Sequence, residues 1–360
     1  MEPSPFPYQG PLRPDQVQGR DELLADLAER VTERRVTAVL GPRRYGKTSL
    51  LRRLAADLSE IATVWVDLYE VTSMADVAVR FDEGLAATTG PFADVARRIA
   101  VGLSINLGLV KVQLTAAPRA RPDPAVALQG LLGVLVAAAA DTPTLLVIDE
   151  LSSISRVDGA AGALRTATQH HYQELGMVFA GSHPSMMRTM FTGREEPFYG
   201  QADLVEIGPL SPTAVEETVT GGFAMTGRRA GRLGGLLTTF ADGHPQRTMQ
   251  LADAVWRRTP EGGQGDDHWA EGLEDVRRAT SEGMERLFSR FNPGERAVLR
   301  AVALSGSVYG TEADLLDLAK GTATHARGSL LDSGDLVSTD QGVRLVDPLL
   351  ADWLRRRFPI

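Results

Sequence analysis

The chain has 360 residues, of which 43% are hydrophobic and 23% charged, so it can bury the cores of two or three soluble domains. It contains no cysteine, which excludes disulfides and thiolate metal sites. The net charge of −8 argues against a protein that coats nucleic acid indiscriminately. Residues 1–14 lack the apolar stretch of a secretion signal, so a cytoplasmic protein is expected.

A proline-rich lead-in at residues 1–20, where prolines block a helix, precedes an alternation of strands and helices. Apolar periodicity predicts strands at 36–40, 62–68, 144–148, 177–180 and 204–207, and helices at 21–32, 48–58, 74–88, 125–140 and 160–174. This order predicts an α/β fold with a mostly parallel sheet that helices cover on both faces.

Two segments depart from this alternation. Residues 103–115 alternate polar and apolar side chains and predict a β-hairpin, and residues 117–124 form a Pro/Arg linker. The longest apolar run, 131–140, is half alanine and too short to span a bilayer. It predicts a buried core helix and no membrane partner.

The pattern changes after residue 210. Residues 211–283 predict a helical lid interrupted by glycines. Residues 284–360 predict helices at 293–304, 311–319 and 322–331, a hairpin at 336–337 and 343–345, and a last helix at 348–356. Three helices followed by a two-stranded wing are typical of a winged-helix domain. The predicted division is therefore a lead-in at 1–20 that contributes to a ligand pocket, a core at 21–210, a lid at 211–283 and a winged helix at 284–360.

The segment 41–48 fits the phosphate-binding pattern G-x-x-x-x-G-K-T and lies between a predicted strand and helix. Gly41 and Gly46 permit a tight path, and the helix N-terminus directs backbone N–H groups at a β-phosphate. Lys47 would bridge the β- and γ-phosphates, and Thr48 would bind Mg²⁺. The expected loop site comprises Gly41, Pro42, Arg43, Arg44, Tyr45, Gly46, Lys47, Thr48 and Ser49.

The apolar strand at 145–148 ends in Asp149 and Glu150, a Walker B pattern. Asp149 would hold the magnesium through water, and Glu150 would orient and deprotonate the attacking water. The alternative is a strand-end carboxylate pair that faces solvent. Ser182, after the next strand, is expected to sense the γ-phosphate or the water; otherwise it is a polar turn residue.

These motifs together resemble the signal-transduction ATPases with numerous domains (STAND) in the AAA+-like branch, and especially their archaeal-type ATPase family. The resemblance rests on residues 17–23, 41–49, 146–150, 179–182, 197–200 and 243–245. It implies the P-loop NTPase fold, with ATP or ADP and Mg²⁺ as ligands, and a C-terminal winged helix.

The resemblance also implies roles outside the loop. Gln18, Gly19 and Arg20 would line the adenine and ribose pocket, and the chain has no guanine-reading motif. His244 and Pro245 would contact the nucleotide from the lid. Arg247 is either a lid sensor or a helix-surface arginine. The sequence departs from the family at Gln201, where an arginine is expected, so Arg165 and Arg194 become the candidates for an arginine finger.

Three functions follow. The first is an ATP-dependent molecular switch that hydrolyses ATP slowly and self-associates or engages a protein partner. The second is an ATP-regulated DNA-binding protein similar to replication initiators. The charge does not favour DNA, because residues 285–360 hold ten Lys/Arg and ten Asp/Glu and Arg355–Arg357 suit a solvated helix end. The third is an interaction module that holds nucleotide with negligible turnover.

Overall fold

A computed structural model describes residues 2–111, 123–308, 316, 318–340 and 342–359. Its centre is a five-stranded parallel sheet with strand order β2-β3-β4-β1-β5. The strands are β1 Thr37–Leu40, β2 Ala62–Asp67, β3 Thr144–Asp149, β4 Leu175–Gly181 and β5 Asp203–Glu206. The predicted α/β sheet is confirmed, since all five predicted strands are present.

Strands β3 and β4 form the middle of the sheet, and every residue of both is buried. Both are apolar runs because helices pack on both faces of the sheet, as parallel crossovers require. The register pairs Ile148 with Phe179, and β1 pairs with β4 up to Leu40 and Gly181. The carboxyl ends of β1, β3 and β4 therefore meet at one edge.

Seven helices accompany this sheet within the described residues: α1 Asp21–Thr32, α2 Lys47–Asp57, α3 Met74–Ala86, α4 Gly90–Gly102, α5 Pro124–Asp141, α6 Ala160–Thr168 and α7 Pro184–Thr192. Helices α4 and α7 were not predicted from the sequence. Helix α6 is shorter than predicted because the chain turns at residues 169–174 before entering β4.

The hairpin predicted at 103–115 is wrong over residues 103–111, which contain no strand. Asp82 of α3 organises this segment instead: its carboxylate accepts hydrogen bonds from Gly108 N at 2.7 Å and Val110 N at 3.1 Å. Burial raises the pKa of Asp82, and the two N–H donors oppose that shift. Residues 112–115, and 117–122 of the predicted linker, lie outside the described residues.

Helix α5 is long and apolar enough, by length and composition, to cross a membrane. In the fold it packs against α3, α4 and α6, and Leu128, Leu131 and Leu135 are fully inaccessible to solvent. The core helices of soluble proteins pass the same test of length and composition. These contacts agree with the predicted buried core helix.

The rest of the described chain is helical except for one hairpin. The helices are α8 Pro212–Ala224, α9 Leu233–Ala241, α10 Pro245–Arg258, α11 Trp269–Ser289, α12 Pro293–Ser305, α13 Lys320–Ser333 and α14 Pro348–Arg357; the hairpin joins β6 Leu336–Thr339 to β7 Gly342–Leu345. The predicted hairpin is confirmed. The helix predicted at 311–319 falls largely on residues outside the description.

One hydrophobic cluster runs through both the lid segment (211–283) and the C-terminal segment (284–360). It includes Phe223 and Trp256 of the lid, Trp353 of α14, and Phe6 from the N-terminus. The predicted boundary between residues 283 and 284 falls inside α11, so that helix belongs to both segments. The domain division itself stays a prediction.

Candidate functional site

The loop at 41–48 joins β1 to α2 in a conformation that requires its glycines. A Cβ on Gly41 would lie 2.3 Å from Ile207 Cγ2 and 2.9 Å from Ile207 O. Gly46 has φ +87° and begins α2 without any side-chain cap. The first N–H groups of α2 therefore remain available to an anion.

Lys47 is buried within the loop. Its ammonium donates to Gly41 O at 2.7 Å and to Pro42 O at 2.8 Å. Burial lowers the pKa of Lys47 to about 8, although Glu150 and Asp149 act in the opposite direction. The chain thus holds a cation beside the open N-terminus of α2.

Thr48 and Asp149 meet directly, since Thr48 Oγ1 donates to Asp149 Oδ2 at 2.6 Å. Burial raises the pKa of Asp149, while the bond from Thr48 lowers it. A hydroxyl and a carboxylate are hard oxygen ligands that suit Mg²⁺, which completes its shell with water and phosphate. Among the described residues no group of three or more His, Cys, Asp or Glu could hold a metal ion.

Glu150 lies beside Asp149 with a left-handed backbone, at φ +53°. Its Oε2 accepts hydrogen bonds from Ser182 Oγ at 2.7 Å and Ser182 N at 3.2 Å. The neighbouring positions of β3 and β4 bring these two residues together. Next to them His183 is half-buried, and burial lowers its pKa.

A cavity of about 410 Å³ opens over these groups. Its lining includes Lys47, Thr48, Glu150 and Ser182, together with Arg43, Arg44, Gly46, Ser49, Tyr69, Pro245, Gln246 and Met249. The structure therefore brings most of the predicted phosphate-site residues to one cavity. Tyr69, in the loop after β2, was not predicted.

The lead-in at residues 1–20 was predicted to contribute to the nucleotide pocket, and its part at residues 2–17, the N-terminal strap, forms a wall of this cavity. Pro7, Tyr8, Gly10, Pro11 and Leu12 line it. Leu12 N donates to Ser49 Oγ at 2.9 Å, and Gln246 Nε2 donates to Tyr8 O at 3.1 Å. The strap thus connects α2 to the lid. Its prolines were the available signal, because they favour an extended chain that can follow a groove.

Gln18 and Arg20 line a smaller adjoining cavity of about 60 Å³, between Tyr45, Leu50, Leu210 and Pro245. The Arg20 guanidinium donates to Gly208 O at 2.7 Å and to Pro209 O at 3.3 Å. Gly19 has φ +66°, and a Cβ there would meet Ala214 Cβ at 2.5 Å. Arg20 therefore fixes the segment after β5, and Gly19 permits close packing of α8. Their roles in binding a nucleotide stay predictions.

His244 lies at the start of α10, opposite the phosphate loop. Its ring centre is 5.1 Å from that of Tyr45, and its Nδ1 accepts from Arg247 N at 3.3 Å. Burial lowers the pKa of His244 to about 4, so the ring is neutral at physiological pH. The Tyr45 hydroxyl is buried without a hydrogen-bond partner among the described residues.

Arg247 joins the lid to the C-terminal segment by a buried polar contact. Its guanidinium binds Asp347 through two hydrogen bonds of 3.0 and 2.5 Å, and Arg44 of the phosphate loop lies 4.0 Å from the same carboxylate. Burial alone would raise the pKa of Asp347, but the bonds from Arg247 hold it below its usual value. Arg344 of β7 and Asp242 form a second, more exposed pair.

The candidates for an arginine finger lie away from this cavity. Arg194 is exposed, Arg165 is half-buried, and neither lines it. Gln201, at the position where the family has an arginine, accepts a hydrogen bond from the Tyr172 hydroxyl.

No protein-family model matches the chain, and no curated protein matches it. Among solved structures it is similar to a Walker-type ATPase of Pyrococcus abyssi, with TM-score 0.73 and 20% identity over 98% of this chain and 99% of that one. The ORC2 protein of Aeropyrum pernix, in ADPNP–ADP complexes, gives 0.58 and 14% over 98% and 96%. Its ORC1 protein, in complex with DNA, gives 0.50 and 12% over 94% and 93%. These likenesses show that the chain has the P-loop NTPase fold.

Proposed function

We propose that this chain binds Mg²⁺-ATP and hydrolyses it slowly, as a molecular switch whose bound nucleotide controls the lid and the C-terminal segment. The observation that carries the proposal is the pairing of Thr48 with Asp149 and of Glu150 with Ser182 over one cavity. The first pair suits magnesium and the second suits a positioned general base. A cavity that held a ligand without cleaving it would not need the second pair.

The phosphates would bind at the N-terminus of α2, where backbone N–H groups are free. Lys47 would exchange its bonds to Gly41 O and Pro42 O for phosphate oxygens, which are stronger acceptors. Thr48 and Asp149 would hold Mg²⁺, which neutralises phosphate charge when it is bound. Glu150, whose carboxylate Ser182 holds in place, would accept a proton from the attacking water.

ATP is the expected nucleotide. Part of the cavity lining is apolar, with Pro7, Pro11, Leu12 and Met249, and it suits a base ring. The similar ORC2 protein was solved with ADP and ADPNP, which agrees with an adenine nucleotide. Gln18, Gly19 and Arg20 would border the same end of the nucleotide.

Switching would act through the contacts that converge on the phosphate loop. Tyr45 touches His244 of the lid, and Arg44 approaches Asp347 of the C-terminal segment. A γ-phosphate in contact with Arg44 or Arg247 would compete with Asp347 for the same cation. ATP and ADP would therefore favour different positions of the lid and C-terminal segment, as a population shift requires.

Turnover would be slow because neither candidate for an arginine finger, Arg165 or Arg194, lines the cavity, and the arginines that do line it belong to the phosphate loop itself. Such a residue is worth roughly 10³–10⁵ in rate where it is supplied by a partner. Self-association or a protein partner would thus activate the enzyme. We also propose that the chain is a STAND ATPase, that residues 284–360 form a winged helix and that the protein is cytoplasmic.

The test compares ATP turnover by the wild type, Lys47→Ala and Glu150→Gln, with molecular mass measured in ADP and in ATP. Glu150→Gln should lose roughly 10²–10⁴ in rate and retain ATP, while Lys47→Ala should lose binding. Glu60→Gln, an exposed carboxylate away from the cavity, is the matched control. An unchanged rate in Glu150→Gln, with ATP still bound, would instead support a module that only holds nucleotide.

A further inference from the structure

Four arginines gather on one side of the C-terminal segment. Arg296 and Arg300 lie one turn apart on α12, and Arg355 and Arg357 lie in the last turn of α14. Arg355 Nε donates to Ala303 O at 2.7 Å, which joins the end of α14 to α12. Arg296, Arg300, Arg355 and Arg357 are called the basic face.

Two phenylalanine rings connect three members of the basic face. The guanidinium carbons of Arg300 and Arg357 lie 5.0 and 5.8 Å from the centre of the Phe358 ring. That of Arg296 lies 5.7 Å from the Phe288 ring, and the two ring centres are 5.3 Å apart. Arg296 donates through Nε to Phe288 O at 3.2 Å and through Nη2 to Ser289 O at 2.5 Å. The terminal nitrogens of Arg300 and Arg357 form no hydrogen bond among the described residues, so their N–H donors remain available.

Within residues 2–111, 123–308, 316, 318–340 and 342–359, no carboxylate forms an ion pair with any member of the basic face. Asp352 of α14 pairs with Arg277 at 2.7 Å and with Arg356 at 2.9 Å. Glu295 of α12 accepts from Ser329 Oγ at 2.7 Å. The four arginines of the basic face therefore have no carboxylate partner among the described residues, although Glu295 keeps its charge beside Arg296.

The chemistry of the basic face fits phosphodiesters. Arginine edges bind phosphate oxygens in pairs and carry their charge at every physiological pH. A single strand would also need rings on which its bases could stack. Among the described residues of the C-terminal segment, no large apolar side chain is exposed, and arginines lie over Phe358. A duplex, which offers its backbone, fits better.

We propose that the basic face binds the phosphate backbone of duplex DNA without reading its sequence. The whole chain has a net charge of −8, so the surface outside the basic face repels a polyanion and disfavours contact elsewhere. This surface differs from α13, where a winged helix would place its recognition residues. The inference stands apart from the proposed ATP hydrolysis.

The experiment measures binding of the full chain to a fluorescent 30-base-pair DNA duplex by anisotropy, from about 50 to 200 mM KCl. Four phosphate contacts predict that log Kd rises with log[KCl] at a slope of about 3–4. Arg300→Ala/Arg357→Ala should lower that slope by about 2 and weaken binding about tenfold at 100 mM. Arg300→Lys/Arg357→Lys keeps the charge and should bind nearly as the wild type.

Arg327→Ala, on α13, is the control for the alternative surface and should leave binding unchanged. Loss of binding in Arg327→Ala with the alanine pair unaffected would overturn the proposal. So would the absence of binding at 50 mM KCl, binding only to an RNA duplex, or an alanine pair that changes the molecular mass and not DNA affinity. Circular dichroism of each variant separates these results from unfolding.

Discussion

The two sides of the central cavity are built differently. On the sheet side, Asp149, Glu150 and Ser182 follow adjacent strands, and the parallel register fixes their distances. On the other side, the strap, lid and C-terminal segment share one hydrophobic cluster, and polar pairs of distant residues, such as Arg247 and Asp347, join the lid to the C-terminal segment. The parallel register therefore fixes the sheet side, whereas the other side depends on contacts between segments that are far apart in the chain.

The largest loss of stability is expected at Asp347, which forms a buried ion pair with Arg247. Asp347→Asn keeps an acceptor for Leu349 N but leaves Arg247 buried without its counter-charge. We expect the free energy of unfolding to fall by about 3–5 kcal/mol. Urea denaturation measures it. Asp242→Asn, at the exposed pair with Arg344, should change stability by no more than about 1 kcal/mol. Equal losses in the two variants would contradict the difference expected between the buried and the exposed ion pair.

The next effect concerns the buried His244. Its pKa is about 4 in the fold against 6.5 in the unfolded chain, so the unfolded state takes up the proton first as pH falls. The stability from the neutral ring is complete above pH 6.5 and is lost between pH 6.5 and 4. This amounts to about 3 kcal/mol. In denaturant titrations, His244→Asn, which can still cap α10, should lose less unfolding free energy between pH 7 and pH 4 than the wild type loses. Equal losses in the two proteins would contradict this role of His244.

A substitution on the sheet side should lower the rate of ATP hydrolysis and leave the stability of the fold unchanged. Ser182→Ala removes the hydroxyl that holds the Glu150 carboxylate. A hydrogen bond to a charged group is worth about 1.5–3 kcal/mol, which corresponds to roughly a 10–100-fold lower kcat. Steady-state ATP turnover measures it, with ATP affinity as the control. A variant that keeps kcat and loses affinity would show that Ser182 holds the nucleotide instead.

The smallest effect is expected at the strap. Gln246→Met removes the donor to Tyr8 O while keeping a good helix former of similar size. The loss of one hydrogen bond should cost about 1 kcal/mol and make the strap more accessible to protease, with the sheet unaffected. Gln129→Met on α5 is the control. If residues 2–17 of the variant resist protease as well as those of the wild type, Gln246 does not help to hold the strap.

Much of the sheet side could be predicted from the sequence because its signals are local. The glycine spacing of the loop and the apolar run before Asp149 each lie within a few residues. The strand order was not predicted, since β1 lies between β4 and β5 although β2 follows it in the chain. Even Ser182 could be proposed, since it comes directly after a buried strand, as Asp149 does.

The opposite side depends on contacts that no local pattern encodes. Nothing in the sequence around Asp347 indicates that Arg247 is its partner. The alternation of polar and apolar residues at 103–111 is typical of a strand. In the fold, backbone N–H groups of this segment instead donate to the distant Asp82. In the C-terminal segment, the charge count could not show that Asp352 is paired while Arg300 and Arg357 are left without a carboxylate.

The burial of Phe6 in the lid has a consequence for how the protein is made. Phe6 is synthesised more than 200 residues before Phe223 and Gly222, which it contacts. At roughly 5–20 residues per second, the ribosome needs on the order of ten to forty seconds to reach them. During that time the sheet can form while one wall of the cavity is missing. The nascent chain would therefore complete the cavity only after residue 223 has emerged.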